Sequence, residues 1–374
     1  MRASVVGPSA LAILRAMRCG VLPGGIPADR VDMAAPDPSP RKRWTRTVLD
    51  RIPHIDLLTA GNSRPLHVAV PTKSSRIWAE GVESVVLERR LPEKTFMPVG
   101  EGLFIPCPEL LFLLMDRYMD PLSQLMLGLE LCGSFSRDPV RPLDGDARLG
   151  IVPVASAEKI RTFADAATLR GHDQSRELAA CLADNAWSPG EALVAAWAAL
   201  PFLELGYGLG PIQLNDRIAA EGDLATFAAK KSRVPDILLA GTKVGINYDG
   251  GGHLDLSKVI SAASALGSNP GDSHTSVELN EASRAVRDKY VDDRRRDREL
   301  GAAGYQVFVA TKEDLYEPGG LDRLMGQCMF ALRNAGVEGL GPLIGSLKSR
   351  AIVKARQSML DRVLVGRGES DAVL

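Results

Sequence analysis

Val234-Pro235-Asp236-Ile237-Leu238-Leu239, then Gly241-Thr242-Lys243, then Val244-Gly245-Ile246-Asn247-Tyr248-Asp249 is the stretch on which the fold turns. The two apolar runs read as strands and the Gly-Thr-Lys between them as a turn, which makes the segment a hairpin. Side chains alternate along a strand, so Asn247 and Asp249 point to one face. Across the hairpin Asp236 joins that face. Gly250-Gly251-Gly252 follows directly and lets the backbone approach a neighbour closely, and His253 comes next.

Such a set suits phosphodiester hydrolysis. Hard oxygen ligands hold Mg²⁺, and the ion polarises a phosphate and acidifies a bound water. A histidine beside them acts as general acid or base near neutral pH. Each member also has an ordinary explanation. Asp236 follows a proline and suits a strand end, Asn247 and Asp249 beside glycines suit a turn, and a lone histidine is most often an ordinary one.

Upstream, Ser188-Pro189-Gly190-Glu191 opens a helix that runs to about Leu200 and stops at Pro201. Ser188 caps, Pro189 fits the first turn, and Glu191 three residues on completes a capping box. Glu191 is equally a fourth candidate for the acidic site. Downstream, residues 255–275 are rich in Ser, Ala, Gly and Asp and read as low-order. A helix from about Ser276 to Gly304 then carries Arg284, Arg287, Lys289, Arg294, Arg295, Arg296 and Arg298, interleaved with Asp288, Asp292, Asp293, Asp297 and Glu299. It reads either as a solvated helix with pairs such as Asp292–Arg296, or as one placing Asp293 and Asp297 near the site with arginines facing phosphate. Tyr305-Gln306-Val307-Phe308-Val309 is the next strand.

Pro235-Asp236, Ile246-Asn247-Tyr248-Asp249-Gly250 with His253, and Asp293 with Arg296-Asp297, Leu300, Gly304 and Tyr305 together resemble one lineage. It is the very-short-patch-repair-endonuclease-like branch of the PD-(D/E)xK nuclease superfamily, as found in uncharacterised bacterial AbiEi-type, abortive-infection antitoxin-like proteins. The resemblance covers about 190–330. It implies a restriction-endonuclease-like mixed sheet flanked by helices, from about Ser188 to Ala331, and a metal-dependent endonuclease acting on DNA in phage defence or mobile-element biology. The catalytic set it implies is Glu191, Asp236, Asn247, Asp249 and His253, with Mg (or Mn) on Asp236 and Asp249. Two departures stand out. The family's glutamate is Asn247 here, a neutral amide where a carboxylate holds metal more tightly, and the stretch between His253 and Asp293 is longer than usual. The resemblance therefore also admits a catalytically degenerate nuclease fold acting as an antitoxin-like DNA-binding regulator, with a toxin or other protein as partner.

The chain has 374 residues, enough for more than one core. Residues 1–46 read as an N-terminal helix and irregular linker; Leu11, Leu14, Arg15 and Arg18 give that helix an amphipathic pattern. Residues 47–150 read as an α+β partner domain. Strands are expected around His67–Pro71 and Ser84–Glu88 and a hairpin over Gly100–Ile105. An apolar helical pair then runs from Glu109 and from Pro121 to Leu131, capped by Gly133 at positive φ. Residues 151–187 read as a helical connector, 188–335 as the nuclease-like domain and 336–374 as a C-terminal helix and tail. A formal net charge of −1 gives no global attraction to nucleic acid, so any DNA contact needs a local patch. Arg41-Lys42-Arg43-Trp44 is one such basic run, though a solvated linker explains it as well. Five cysteines without C-x-x-C spacing give neither a zinc site nor a disulfide framework. No apolar run is long enough for a membrane span, and the expected location is the cytoplasm.

Overall fold

The structure, a computed structural model, describes residues 2–36, 44–87, 91–167, 169, 171–250, 256–268 and 273–365. They form two compact units, Met1–Gly210 with Asp361–Leu374, and Pro211–Leu360. The division falls after Gly210, not at the helix start at Ser188. Helix Pro189–Ala199 is apolar on every side, as a helix enclosed by its own unit must be. It packs against helix Pro121–Leu131, and its fully buried Trp197 lies 6.0 Å from the ring of Tyr207. The residues expected to open the second domain thus complete the core of the first.

In the first unit, strand Ala3–Ser4 runs parallel to Leu103–Pro106, which pairs antiparallel with Phe96–Gly100. The hairpin expected near 100–105 is present, turning on Glu101 and Gly102, both at positive φ. Leu66–Val70 and Val82–Val86 form a parallel pair, joined to the N-terminal strand by a bridge between Val5 and Val68. Helices Pro108–Leu114 and Pro121–Leu131 are buried along almost their whole lengths, as their apolar composition requires. Helices Ala157–Ala166 and Asp173–Ala180 pack onto them, so the expected connector is part of this unit.

Helix Gly7–Arg18 is buried on its polar side as well as its apolar one. Arg15 and Arg18 are buried along with its apolar residues. The cause is Glu130, 1% exposed at the end of helix Pro121–Leu131. Arg15 donates to both its oxygens, Nε to Oε1 at 2.9 Å and Nη2 to Oε2 at 2.7 Å. Arg137 adds Nε to Oε2 at 2.8 Å and its backbone N–H to Oε1 at 3.0 Å. Arg18 donates to the carbonyls of Glu130 and Gly133. Burial alone would raise the Glu130 carboxyl pKa, but the Arg15 and Arg137 charges outweigh it and hold the group well below the usual range.

Gly133 is not at positive φ either. Its lack of a side chain answers crowding, since a Cβ there would lie 2.6 Å from the carbonyl oxygens of Ala186 and Leu129. Neighbouring Cys132 is buried and its thiol is pushed well above the ordinary range by desolvation. Trp44, beside the basic run, is a core residue, 2% exposed; residues 41–43 lie outside the described residues.

The second unit is built on a four-stranded mixed sheet, in the order Ile212–Leu214, Ile237–Leu239, Val244–Asp249, Gln306–Thr311. The first three are antiparallel neighbours and the last runs parallel to Val244–Asp249. A parallel neighbour needs a crossover. Here it contains helix Leu256–Ser268, in the stretch read as low-order, and the 30-residue helix Ser273–Ala302 packed against it. Alanine and leucine spaced through 256–268 suffice for a helix once a partner covers them. Helix Gly320–Asn334 packs against the two parallel strands. The coarse class is therefore mixed α/β, and no helix among the described residues is long and apolar enough to cross a membrane.

Glu130→Ala is expected to cost about 3–5 kcal/mol in urea denaturation, because it strands two buried guanidinium groups. Asp173→Ala, which removes only the exposed partner of Arg176, is expected to cost less than about 1 kcal/mol.

Candidate active site

Asp236 and Asn247 are interlocked. Ile237 pairs with Ile246 across the antiparallel ladder, so Asp236 meets Asn247 one step further on. The Asp236 N–H donates to Asn247 Oδ1 at 3.0 Å, and Asp236 Oδ2 accepts from the Tyr248 N–H at 2.7 Å. Each side chain thus holds the other strand's backbone where the ladder ends. Asn247 is 2% exposed and its Nδ2 is buried without a hydrogen-bond partner. The amide orientation follows from its neighbour, since a flipped group would set Nδ2 against the Asp236 N–H, donor to donor.

Asp249 lies two residues on, half-buried, on the face shared by Gly245 and Asn247. It stands opposite Thr311, which caps helix Lys312–Tyr316 through a capping box with Asp314. Gly245 allows the strands this close, because a Cβ would sit 2.5 Å from the Ile237 carbonyl oxygen. The Tyr248 ring folds over Gly250, and burial, followed by the nearby Tyr316 and Asp249, raises its hydroxyl pKa. Close approach at Gly250 is therefore to Tyr248. Gly251, Gly252 and His253 lie outside the described residues.

Glu191 belongs to the other compact unit. Its backbone N–H donates to Ser188 Oγ at 3.2 Å and its Oε2 accepts from the Trp187 N–H at 3.3 Å, which is the work of a helix-start residue. Asp236, Asn247 and Asp249 are brought together by one sheet. Among the described residues, no three or more His, Cys, Asp or Glu side chains are grouped to hold a metal ion. Asp236 and Asp249 are the two carboxylates that the strand pairing sets on this face. Asn247 Oδ1 accepts from a backbone amide and is a neutral oxygen, a weaker partner for a cation than a carboxylate.

The acidic helix face is used differently from the Asp292–Arg296 pairing expected. Asp292 accepts from Lys230 Nζ at 2.8 Å and Arg233 Nη1 at 2.9 Å, and Glu299 accepts from Arg233 Nε at 2.7 Å. Asp293 and Asp297 each pair at 3.4 Å with Arg296 and Arg294 of their own helix. Asp292 and Glu299, seven residues apart, lie on one face and clamp helix Ser273–Ala302 onto strand Ser232–Arg233. That spacing was visible in the sequence, whereas the partner strand was not. Arg233 holds the Glu299 carboxyl below its ordinary pKa, and Lys230 with Arg233 does the same for Asp292.

Two outcomes follow. Asn247→Ala leaves the Asp236 N–H without its acceptor and is expected to cost about 1–3 kcal/mol in chemical denaturation. The clamp's carboxylates have depressed pKa values, so its stabilisation is complete above about pH 4 and lost as pH falls through those values. Hydrogen exchange over residues 290–302, corrected for intrinsic rates, should accelerate on acidification below about pH 4 more than over 256–268. No family model, no curated protein and no solved structure matches this chain.

Proposed function

We propose that unit Pro211–Leu360 is a restriction-endonuclease-like domain acting on DNA phosphodiesters with Mg²⁺ or Mn²⁺. The observation that carries this reading is the interlock that fixes Asp236 beside Asn247 and sets Asp249 two residues along the same sheet face. The strand order adds support, with an antiparallel three-strand run followed by a helical crossover to a parallel fourth strand. The resemblance implies a mixed sheet flanked by helices, and a mixed sheet is what this unit has.

Asp236 and Asp249 are the residues that would hold the cation. When bound, the ion supplies polarisation of the phosphate and a more acidic water. The Tyr248 amide orients the Asp236 carboxylate by fixing Oδ2. Asn247 keeps the two strand ends in register, so its part is positioning. The role of proton carrier falls to His253 by resemblance alone.

A second reading is favoured by Asn247 itself. Its Oδ1 already accepts from the Asp236 amide, and a neutral amide holds a cation less tightly than a carboxylate would. A catalytically degenerate, antitoxin-like DNA-binding regulator is then the alternative.

Purified full-length protein with Mg²⁺ or Mn²⁺ should nick plasmid and cut oligonucleotides, and Asp236→Ala or Asp249→Ala should lower the rate at least about a hundredfold. Cleavage that survives both substitutions would sink the site assignment. Absence of cleavage together with salt-sensitive binding to its own promoter would favour the regulator.

A further inference from the structure

Away from the acidic site, the second unit has a cleft of about 480 Å³ between helix Gly320–Asn334, helix Gly341–Ser346 and the first turns of helix Arg350–Val365. Its floor is apolar: Gly326, Phe330, Ile344, Leu347 and Val353. Gly326 gives it depth, since a Cβ there would come within 3.1 Å of Leu347 Cδ1. Phe330 is 48% exposed, unusual for a phenylalanine, and the Arg333 guanidinium lies 4.6 Å from its ring centroid.

The surroundings of the cleft are basic. Between Glu317 and Asp361 the chain carries Arg323, Arg333, Lys348, Arg350, Lys354 and Arg356 against Glu317, Asp322, Glu338 and Asp361, in a protein of formal net charge −1. Asp322 does not offset the surface cations, because its carboxylate is taken by buried Arg356 at 2.7 Å. Arg323 is bound by Glu317 at 2.7 Å, while Lys348 on the wall and Arg350 and Lys354 beyond it are exposed.

An apolar floor alone would accept any greasy side chain. Lys348 on the wall and Arg333 beside the Phe330 ring favour an occupant that joins anions to a flat apolar body, and a nucleotide in a single strand has that form. Base stacking on an exposed ring with phosphates against Lys or Arg is the general chemistry of single-strand binding. Resting on the reading of this unit as DNA-directed, we infer that the cleft is a single-stranded nucleic-acid site. Phe330 stacks an unpaired base, and Arg333, Lys348 and Arg350 meet the flanking phosphates.

The test is fluorescence anisotropy of the full chain with a labelled oligo-dT of about 15 nucleotides and a duplex of equal length, at low salt in EDTA so that cleavage plays no part. Wild type should bind the single strand more tightly. Phe330→Ala should weaken that binding about tenfold, with Phe330→Trp restoring it. Lys348→Glu should weaken it and make the salt slope shallower by about one. The assay holds no divalent cation and reads the cleft through Phe330, whereas the cleavage assay reads Asp236 and Asp249, so failure of the nuclease reading and failure of the cleft are separately visible. The proposal is overturned if folded Phe330→Ala, judged by circular dichroism, binds oligo-dT as wild type does. It is equally overturned if an acidic amphipathic peptide binds in a Phe330-dependent way while oligo-dT does not.

Discussion

A carboxylate taken out of water persists only where its charge and both oxygens are matched, and Glu130 meets that condition twice over. Arg15 comes from the N-terminal helix and Arg137 from the segment after helix Pro121–Leu131, so one buried anion fastens three parts of the first unit. Arg18 closes the assembly by donating to the carbonyls at the end of that helix. The N-terminal helix lies in the core because its arginines have partners there. Without Glu130 the same arginines would favour the surface.

The second unit uses a smaller version of the same logic. Where the ladder between Ile237–Leu239 and Val244–Asp249 ends, side-chain oxygens replace backbone carbonyls as acceptors for two amides. This explains why an amide serves at 247. Its oxygen is needed by Asp236, and a neutral group avoids a further buried negative charge between two carboxylates. The amide at 247 thus serves to position Asp236. Charge is handled alike on helix Ser273–Ala302, where Asp292 and Glu299 grip Arg233 and Lys230, leaving Asp293 and Asp297 to arginines of their own helix.

Much of the secondary structure was legible in the chain. The hairpin 234–249 follows from two apolar runs around a turn, and helix Pro189–Ala199 from a serine cap, a first-turn proline and an apolar run. That Asp236, Asn247 and Asp249 share one face follows from strand periodicity, while their choice as a catalytic set comes from the resemblance. Residues 256–268 were less legible, because small residues carry a weak helical signal until another helix covers them.

What the sequence by itself determined is therefore local: strand alternation, helix starts and stops, and which residues share the face of the hairpin. What only the tertiary structure decided is which polar groups meet. Glu191 turned onto its own helix start, Gly133 proved to be a point of close contact, and Asn247 became a strand lock. Local periodicity is set by neighbours a few positions away, which a sequence displays. Charge pairing spans up to 115 positions, as between Arg15 and Glu130, and only the folded chain brings such partners within reach.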